Sequence, residues 1–170
     1  MAVASTHQGD LHVVGKLSCT TFDAPTNSIT NDDVSDTTKI DATKLVHELN
    51  LQLTQADGSD VASETRLVHL CSADATIVAV EAVVTTAPTD DYNLSIDVEA
   101  GNQSTPFATV LSAPLAIDSA VAAREVVGGT ISSASLADND SLRIAVTAAG
   151  SSGTQAQGLL VRVKLRENAT

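Results

Sequence analysis

Residues 92–101 read YNLSIDVEAG, and this stretch decides the fold class. Every second residue from Tyr92 to Val98 is apolar, and the residues between them are polar. A period of two residues is typical of a strand that buries one face. The same alternation recurs in SLRIAVTAA (141–149) and GLLVRVKLR (158–166), so the sequence predicts strands in both places.

Further strand-like runs lie before and between these three, separated by turn residues at roughly ten-residue intervals. They are TRLVHLCS (65–72), TIVAVEAVVTT (76–86), FATVLS (107–112), PLAID (114–118) and REVVGGTIS (124–132). DSAVAAR (118–124) could hold a single helical turn. About eight short strands with one inward face each favour an all-β fold, an antiparallel β-sandwich of the jelly-roll kind.

The composition divides the chain into an N-terminal arm, residues 1–50, and a β-sandwich body, residues 51–170. Residues 24–44 are rich in Thr and Asp, with isolated apolar residues, and cannot bury enough area alone to offset their ordering entropy. We expect them to be flexible or to be ordered by lying on another surface. Before them, DLHVVGKLSC (10–19) alternates like a strand, which must add to the sheet of the body or pair with a neighbouring subunit.

Composition also excludes several classes of function. The 170 residues carry 21 acids against nine Lys and Arg, a net charge of −12, which argues against binding nucleic acid through its phosphates. Aromatic residues make up only 2 %, too few for stacking platforms. No apolar run approaches the roughly 18 residues of a membrane span, and MAVASTHQGD at the N-terminus does not resemble a secretory signal.

No motif predicts catalysis or a cofactor. The four histidines lack zinc-site spacing, and neither a G-x-S-x-G elbow nor a P-loop is present. Acidic loops keep a calcium site open as a minor alternative, although Asp is also common in turns. These loops are NDD (31–33), DGSD (57–60), TDD (89–91) and DND (138–140). Cys19 and Cys71 are expected to be reduced thiols, with a single disulfide between arm and body as the alternative.

The C-terminal strands contain a group of basic residues in an otherwise acidic chain: Arg143, Arg162, Lys164 and Arg166. One interpretation is a solvated sheet face with cross-strand pairs to Asp97 and Glu99. The other is a docking or self-association surface.

Three long runs resemble virion structural proteins of tailed bacteriophages, above all capsid decoration (cement) proteins and head fibres. They are SITNDDVSDTTKIDATKLVHEL (28–49), residues 55–88 from QADGSD to TTAP, and residues 113–165 from APLAID to VRVKL. In addition, GDLHVVGKLS (9–18) looks like the short β-segments at which phage fibres trimerise.

The resemblance implies a non-enzymatic homotrimer on the outer capsid surface of a virion, with the major capsid protein and its own copies as partners. An apolar residue in a polar arm needs a burial partner, so we expect the arm to bind through its apolar side chains. These are Leu11, Val13, Leu17, Phe22, Ile29 and Ile40. The competing hypothesis is a carbohydrate- or cell-surface-binding sandwich module of a phage fibre, which would need an aromatic platform or a calcium site.

Overall fold

The structure, a computed structural model, describes residues 47–167. Within this range the chain forms ten strands and no helix. The strands are β1 (His47–Thr54), β2 (Glu64–Leu70), β3 (Ala75–Thr86), β4 (Asn93–Gly101), β5 (Ala108–Thr109), β6 (Leu115–Ile117), β7 (Val127–Gly128), β8 (Ser135–Leu136), β9 (Ser141–Ala149) and β10 (Gln157–Glu167). The prediction of an all-β fold is confirmed, whereas residues 118–124 form turns and contain no helical turn.

The strands form two antiparallel sheets that pack against each other. Sheet I has the order β1-β10-β3-β7, with β8 also paired to β3, and sheet II has the order β2-β9-β4-β5, with β6 also paired to β4. The pairing is nested: the first strand pairs with the last, and the second pairs with the last but one. The prediction of an antiparallel β-sandwich is therefore confirmed for the described residues.

The core between the sheets is aliphatic, as the alternating patterns predict. In β10 the inward side chains of Leu159, Val161, Val163 and Leu165 are at most 1 % exposed. Inward residues of β4 and β9 meet them from sheet II, and no polar side chain in the described range is fully buried. Burying a Leu, Ile or Val side chain contributes roughly 1.5–3 kcal/mol, so a core without aromatic residues can still stabilise the sandwich.

Two features of the fold differ from the strands read in the sequence. Strand β1 begins at His47, so the boundary placed between residues 50 and 51 lies inside a strand that pairs with β10. The predicted strands 107–112 and 124–132 contribute the two-residue pairings of β5 and β7 and an isolated bridge between Leu111 and Ile131.

The pairing also defines the two ends of the sandwich. One end, here called the terminal end, carries His47, Glu167 and the loops 71–74, 102–107 and 137–140. The opposite end, here called the loop end, carries the loops 55–63, 87–92, 118–126 and 150–156.

Candidate interaction surfaces

The six apolar residues predicted to make arm contacts all precede residue 47. Leu11, Val13, Leu17, Phe22, Ile29 and Ile40 therefore lie outside the described residues. The candidate surfaces of residues 47–167 therefore belong to the sandwich alone.

The group of basic residues does not form one surface. Arg143 is on β9 of sheet II, whereas Arg162, Lys164 and Arg166 are on β10 of sheet I. A single basic docking face is therefore wrong. The cross-strand interpretation is confirmed in part, because Glu99 lies directly opposite Arg143 and forms an ion pair with it.

The remaining basic residues on β10 are paired with acids that the sequence did not single out. Arg162 binds Glu81 on β3, directly opposite it, and Lys164 and Arg166 both bind Glu48 on β1. The Lys164 Nζ–Glu48 Oε2 distance is 2.9 Å. These pairs are exposed and each stabilises the fold by roughly 0–1 kcal/mol, so their main effect is to neutralise the basic side chains.

Asp97, the other acid predicted to pair with the basic residues, binds a threonine. The Thr109 hydroxyl donates to Asp97 Oδ1 at 2.6 Å, which links β5 to β4 on the outer face of sheet II. The charge of Asp97 therefore remains on the surface.

The acidic loops within the described range use their carboxylates in internal hydrogen bonds. Asp57 accepts from the Thr85 hydroxyl at 2.6 Å, and Asp140 accepts from the Ala137 N–H at 2.8 Å. Among residues 47–167 no three His, Cys, Asp or Glu side chains come together as a possible metal site. The NDD sequence at 31–33 lies outside the described residues.

Asp91 joins two loops at the loop end. Its carboxylate accepts from the N–H of Ser151 at 3.0 Å and of Ser152 at 2.6 Å, and from the Ser151 hydroxyl at 2.8 Å. The backbone donors of Ser152 and Ser151 stabilise the ionised form and lower the pKa of Asp91 to about 2. The loops 87–92 and 150–156 are therefore held together by a charged acceptor.

Cys71 is a buried free thiol directly after β2. Burial raises its pKa to about 11, with smaller contributions from the negative charges of Asp140, Glu167 and Asp138. A thiol with a raised pKa is a poor nucleophile, so Cys71 acts as a small core residue. Its proposed partner in the alternative disulfide, Cys19, lies outside the described residues.

The two aromatic side chains of the sandwich do not form a platform for sugars. Tyr92 precedes the start of β4 and packs against Gly150. The backbone of Phe107 lies close to Gly101 at the other end of β4, and the Arg143 guanidinium lies 4.2 Å from the centroid of the Phe107 ring. One ring is therefore at each end of a nine-residue strand.

The clearest exposed apolar feature is the outer face of β2. The pairing of β2 with β9 shifts between Leu67 and His69, so Val68 is an extra residue in a β-bulge. Because of this bulge Leu67 and Leu70, three positions apart, pair with Arg143 and Ser141 and share the outward face. They are 65 % and 62 % exposed.

The sequence carries a signal for this bulge. In TRLVHLCS the apolar residues Leu67 and Val68 are adjacent, which breaks the two-residue period in the middle of a strand. Such a break is typical of a bulge. Which of the two side chains faces outward could not be read from the pattern.

A second apolar feature is a shallow depression of about 150 Å³ on the outer face of sheet I. Its lining includes Val83, Leu160 and Val126, the last of them 60 % exposed, beside the Glu81–Arg162 ion pair. It is smaller than a typical ligand pocket of roughly 300–1,000 Å³, so it fits a protruding side chain better than a small molecule.

Comparisons of the chain with protein-family models, with curated proteins and with solved structures found no match. Within residues 47–167 the structure contains no helix long and apolar enough to cross a membrane.

Proposed function

We propose that this protein is a structural component of a bacteriophage virion: a decoration protein that binds the outer surface of the capsid as a homotrimer and stabilises it. Its partners in this proposal are the major capsid protein and further copies of itself.

The observation that carries the proposal is the nested strand order of the two sheets. Pairing β1 with β10 and β2 with β9, while β3 and β4 pair with the short strands between them, is the order expected of a jelly roll. We therefore also propose that the sandwich belongs to this architecture, which viral capsid domains use and lectin domains share. Because a fold alone does not determine function, the surfaces must support the choice.

The charges on the surface favour a protein partner over a nucleic acid. Five of the six Lys and Arg side chains within residues 47–167 form ion pairs with acids of the same sandwich. A protein that neutralises phosphates needs clustered, available cations. The exposed leucines of β2 and the depression on sheet I offer apolar contacts instead, and such contacts are typical of assembly surfaces.

The positions of the two aromatic residues in the sandwich favour the decoration protein over the competing carbohydrate-binding module. Tyr92 and Phe107 lie at opposite ends of β4, and Phe107 is already covered by Arg143. Sugar recognition that depends on stacked rings would need a different arrangement.

The proposal is tested by adding the full chain to capsids that lack it and measuring occupancy by electron microscopy. We expect discrete trimeric densities on the outer surface and a higher temperature of capsid disruption. Deletion of residues 1–45 should strongly reduce occupancy, because it removes the proposed arm. Unchanged occupancy of the truncated protein would contradict the role of the arm, and specific binding to a glycan array without capsid binding would favour the carbohydrate-binding module.

A further inference from the structure

We propose that β2 accepts one additional strand on the edge that no other strand of residues 47–167 occupies, and that this strand is the stretch Leu11–Cys19 from a second copy of this chain. The inference rests on the proposed function, because it names the surface that would join the subunits of the homotrimer.

The backbone of β2 has an unused edge within the described range. Strand β2 pairs with β9 on one side only, and among residues 47–167 no strand pairs with its other side. At the start of the strand, the Glu64 side chain is bound by Gln55 and Arg66. Unpaired N–H and C=O groups on an edge strand are a template for another strand.

Strand β1 also has only one partner among the described residues, but its surface differs from that of β2. Its outward side chains Glu48, Asn50 and Thr54 are polar and exposed, which discourages edge-to-edge pairing. Strand β2 instead presents Leu67 and Leu70 on the outward face. Of these two edge strands, β2 is therefore the one that exposes apolar side chains.

An added strand would cover these leucines as well as the backbone. Side chains directly opposite each other in adjacent strands lie about 4.5–5.5 Å apart, so an apolar face on the new strand would contact Leu67 and Leu70. The stretch Leu11–Cys19 has such a face, because Leu11, Val13 and Leu17 occupy alternate positions. Strand addition of this kind uses main-chain hydrogen bonds for affinity and alternate side chains for specificity.

The length of the chain allows the strand to come from a neighbouring subunit. Twenty-seven residues separate Cys19 from His47, and a fully extended segment of that length spans roughly 90 Å. His47 and the end of β2, Leu70, are both at the terminal end of the sandwich. A strand passed from each subunit to the next makes a head-to-tail contact, which closes into a ring of three if the rotation permits.

Isotope-resolved cross-linking of the full chain tests both the segment and its origin. A photo-reactive benzoylphenylalanine replaces Leu67, and equal amounts of ¹⁴N- and ¹⁵N-labelled protein are assembled together and irradiated. We expect cross-links from position 67 to residues 10–19. If the two cross-linked peptides come from different copies, pairs of one ¹⁴N and one ¹⁵N peptide should be as frequent as pairs with the same label. Cross-links only to other segments would overturn the assignment of Leu11–Cys19 as the added strand. Cross-linked pairs with the same label alone would show that the strand comes from the same copy and not from a second one.

Light scattering measures the molar mass of matched variants in solution, without capsids. The Leu67→Asp/Leu70→Asp variant should reduce the molar mass from three times the 17.4 kDa chain mass to a single chain. Val126→Asp, which introduces one charge at a similarly exposed apolar residue of the loop 118–126, should leave the mass unchanged. A Leu67→Asp/Leu70→Asp variant that remains trimeric would overturn the inference. A wild-type trimer that does not bind capsids would overturn only the proposed function.

Discussion

Asp91 is the residue whose ionisation matters most for the loop end. Its folded-state pKa is about 2 against an ordinary 3.8, so it contributes stability above pH ~4 that is lost as the pH falls through about 2. We expect Asp91→Asn to lower the melting temperature at pH 7, and the difference from wild type to shrink between about pH 4 and pH 2. Melting curves followed by circular dichroism across this range provide the measurement.

The control for this prediction is Asp118→Asn. Asp118 accepts from the N–H of Ala120 within its own turn, so it does not join two loops. Asp118→Asn should therefore lower the melting temperature at pH 7 by less than Asp91→Asn does. A difference between wild type and Asp91→Asn that stays constant down to pH 2 would contradict the linkage between the Asp91 charge and the loop contact.

Gly150 is required by close packing at the start of the loop that Asp91 holds. Its φ is +143°, and a Cβ there would lie 2.5 Å from the Tyr92 ring. We expect Gly150→Ala to lower the free energy of unfolding by about 2 kcal/mol or more, measured by urea denaturation. Gly128→Ala is the control, because nothing lies within 4 Å of a Cβ at that position, and it should change stability by less than about 1 kcal/mol.

Strand β10 is the element on which sheet I depends, because it pairs with β1 on one side and with β3 on the other. Leu159 is 1 % exposed in the core, whereas the next residue, Leu160, lies on the outer face. We expect Leu159→Ala to cost about 2–5 kcal/mol of unfolding free energy through the cavity it leaves. Leu160→Ala should cost clearly less, and equal losses at the two sites would mean that β10 is not oriented as described.

The strands that could be predicted are those whose alternation is long enough to specify a buried face. Strands β4, β9 and β10 were evident because each has four or more alternating positions with turn residues at its ends. Strand β1 has the same signal in Leu49, Leu51 and Leu53, but the polar composition around it hid the pattern. The two-residue pairings of β5, β7 and β8 depend on contacts with β4 and β3 that no local pattern encodes.

Surfaces were less predictable than the core, because pairing across strands decides which charges remain available. The ion pairs of Arg162 with Glu81 and of Lys164 with Glu48 join positions more than 80 residues apart. The exposure of Leu67 and Leu70 depends on a bulge whose direction the sequence does not specify. The expectation of an assembly protein therefore rests on the resemblance to virion proteins, while the candidate edge on β2 required the structure.

At the scale of the whole molecule, the excess of negative charge is the main electrostatic feature of the sandwich. Residues 47–167 carry fifteen carboxylates and six Lys and Arg side chains, and five of the six basic groups are already paired. The pairs are exposed and individually weak, whereas the excess carboxylates repel one another in the folded state. Salt screens both the attraction within the ion pairs and the repulsion between carboxylates, so the larger of the two decides whether salt lowers or raises the stability of the fold. We expect the repulsion to be larger.

Added NaCl should therefore raise the urea midpoint of unfolding between about 0.02 and 0.5 M, where the screening length falls from tens of ångströms to a few. A variant with fewer carboxylates should respond less. Asp118→Asn/Glu125→Gln suits this purpose, because both acids lie in one loop at the loop end and their amide replacements retain an acceptor for the N–H groups of Ala120 and Ala122. A midpoint that falls with salt in wild type would mean that the five ion pairs outweigh the repulsion, and the surface charge would then stabilise the sandwich itself.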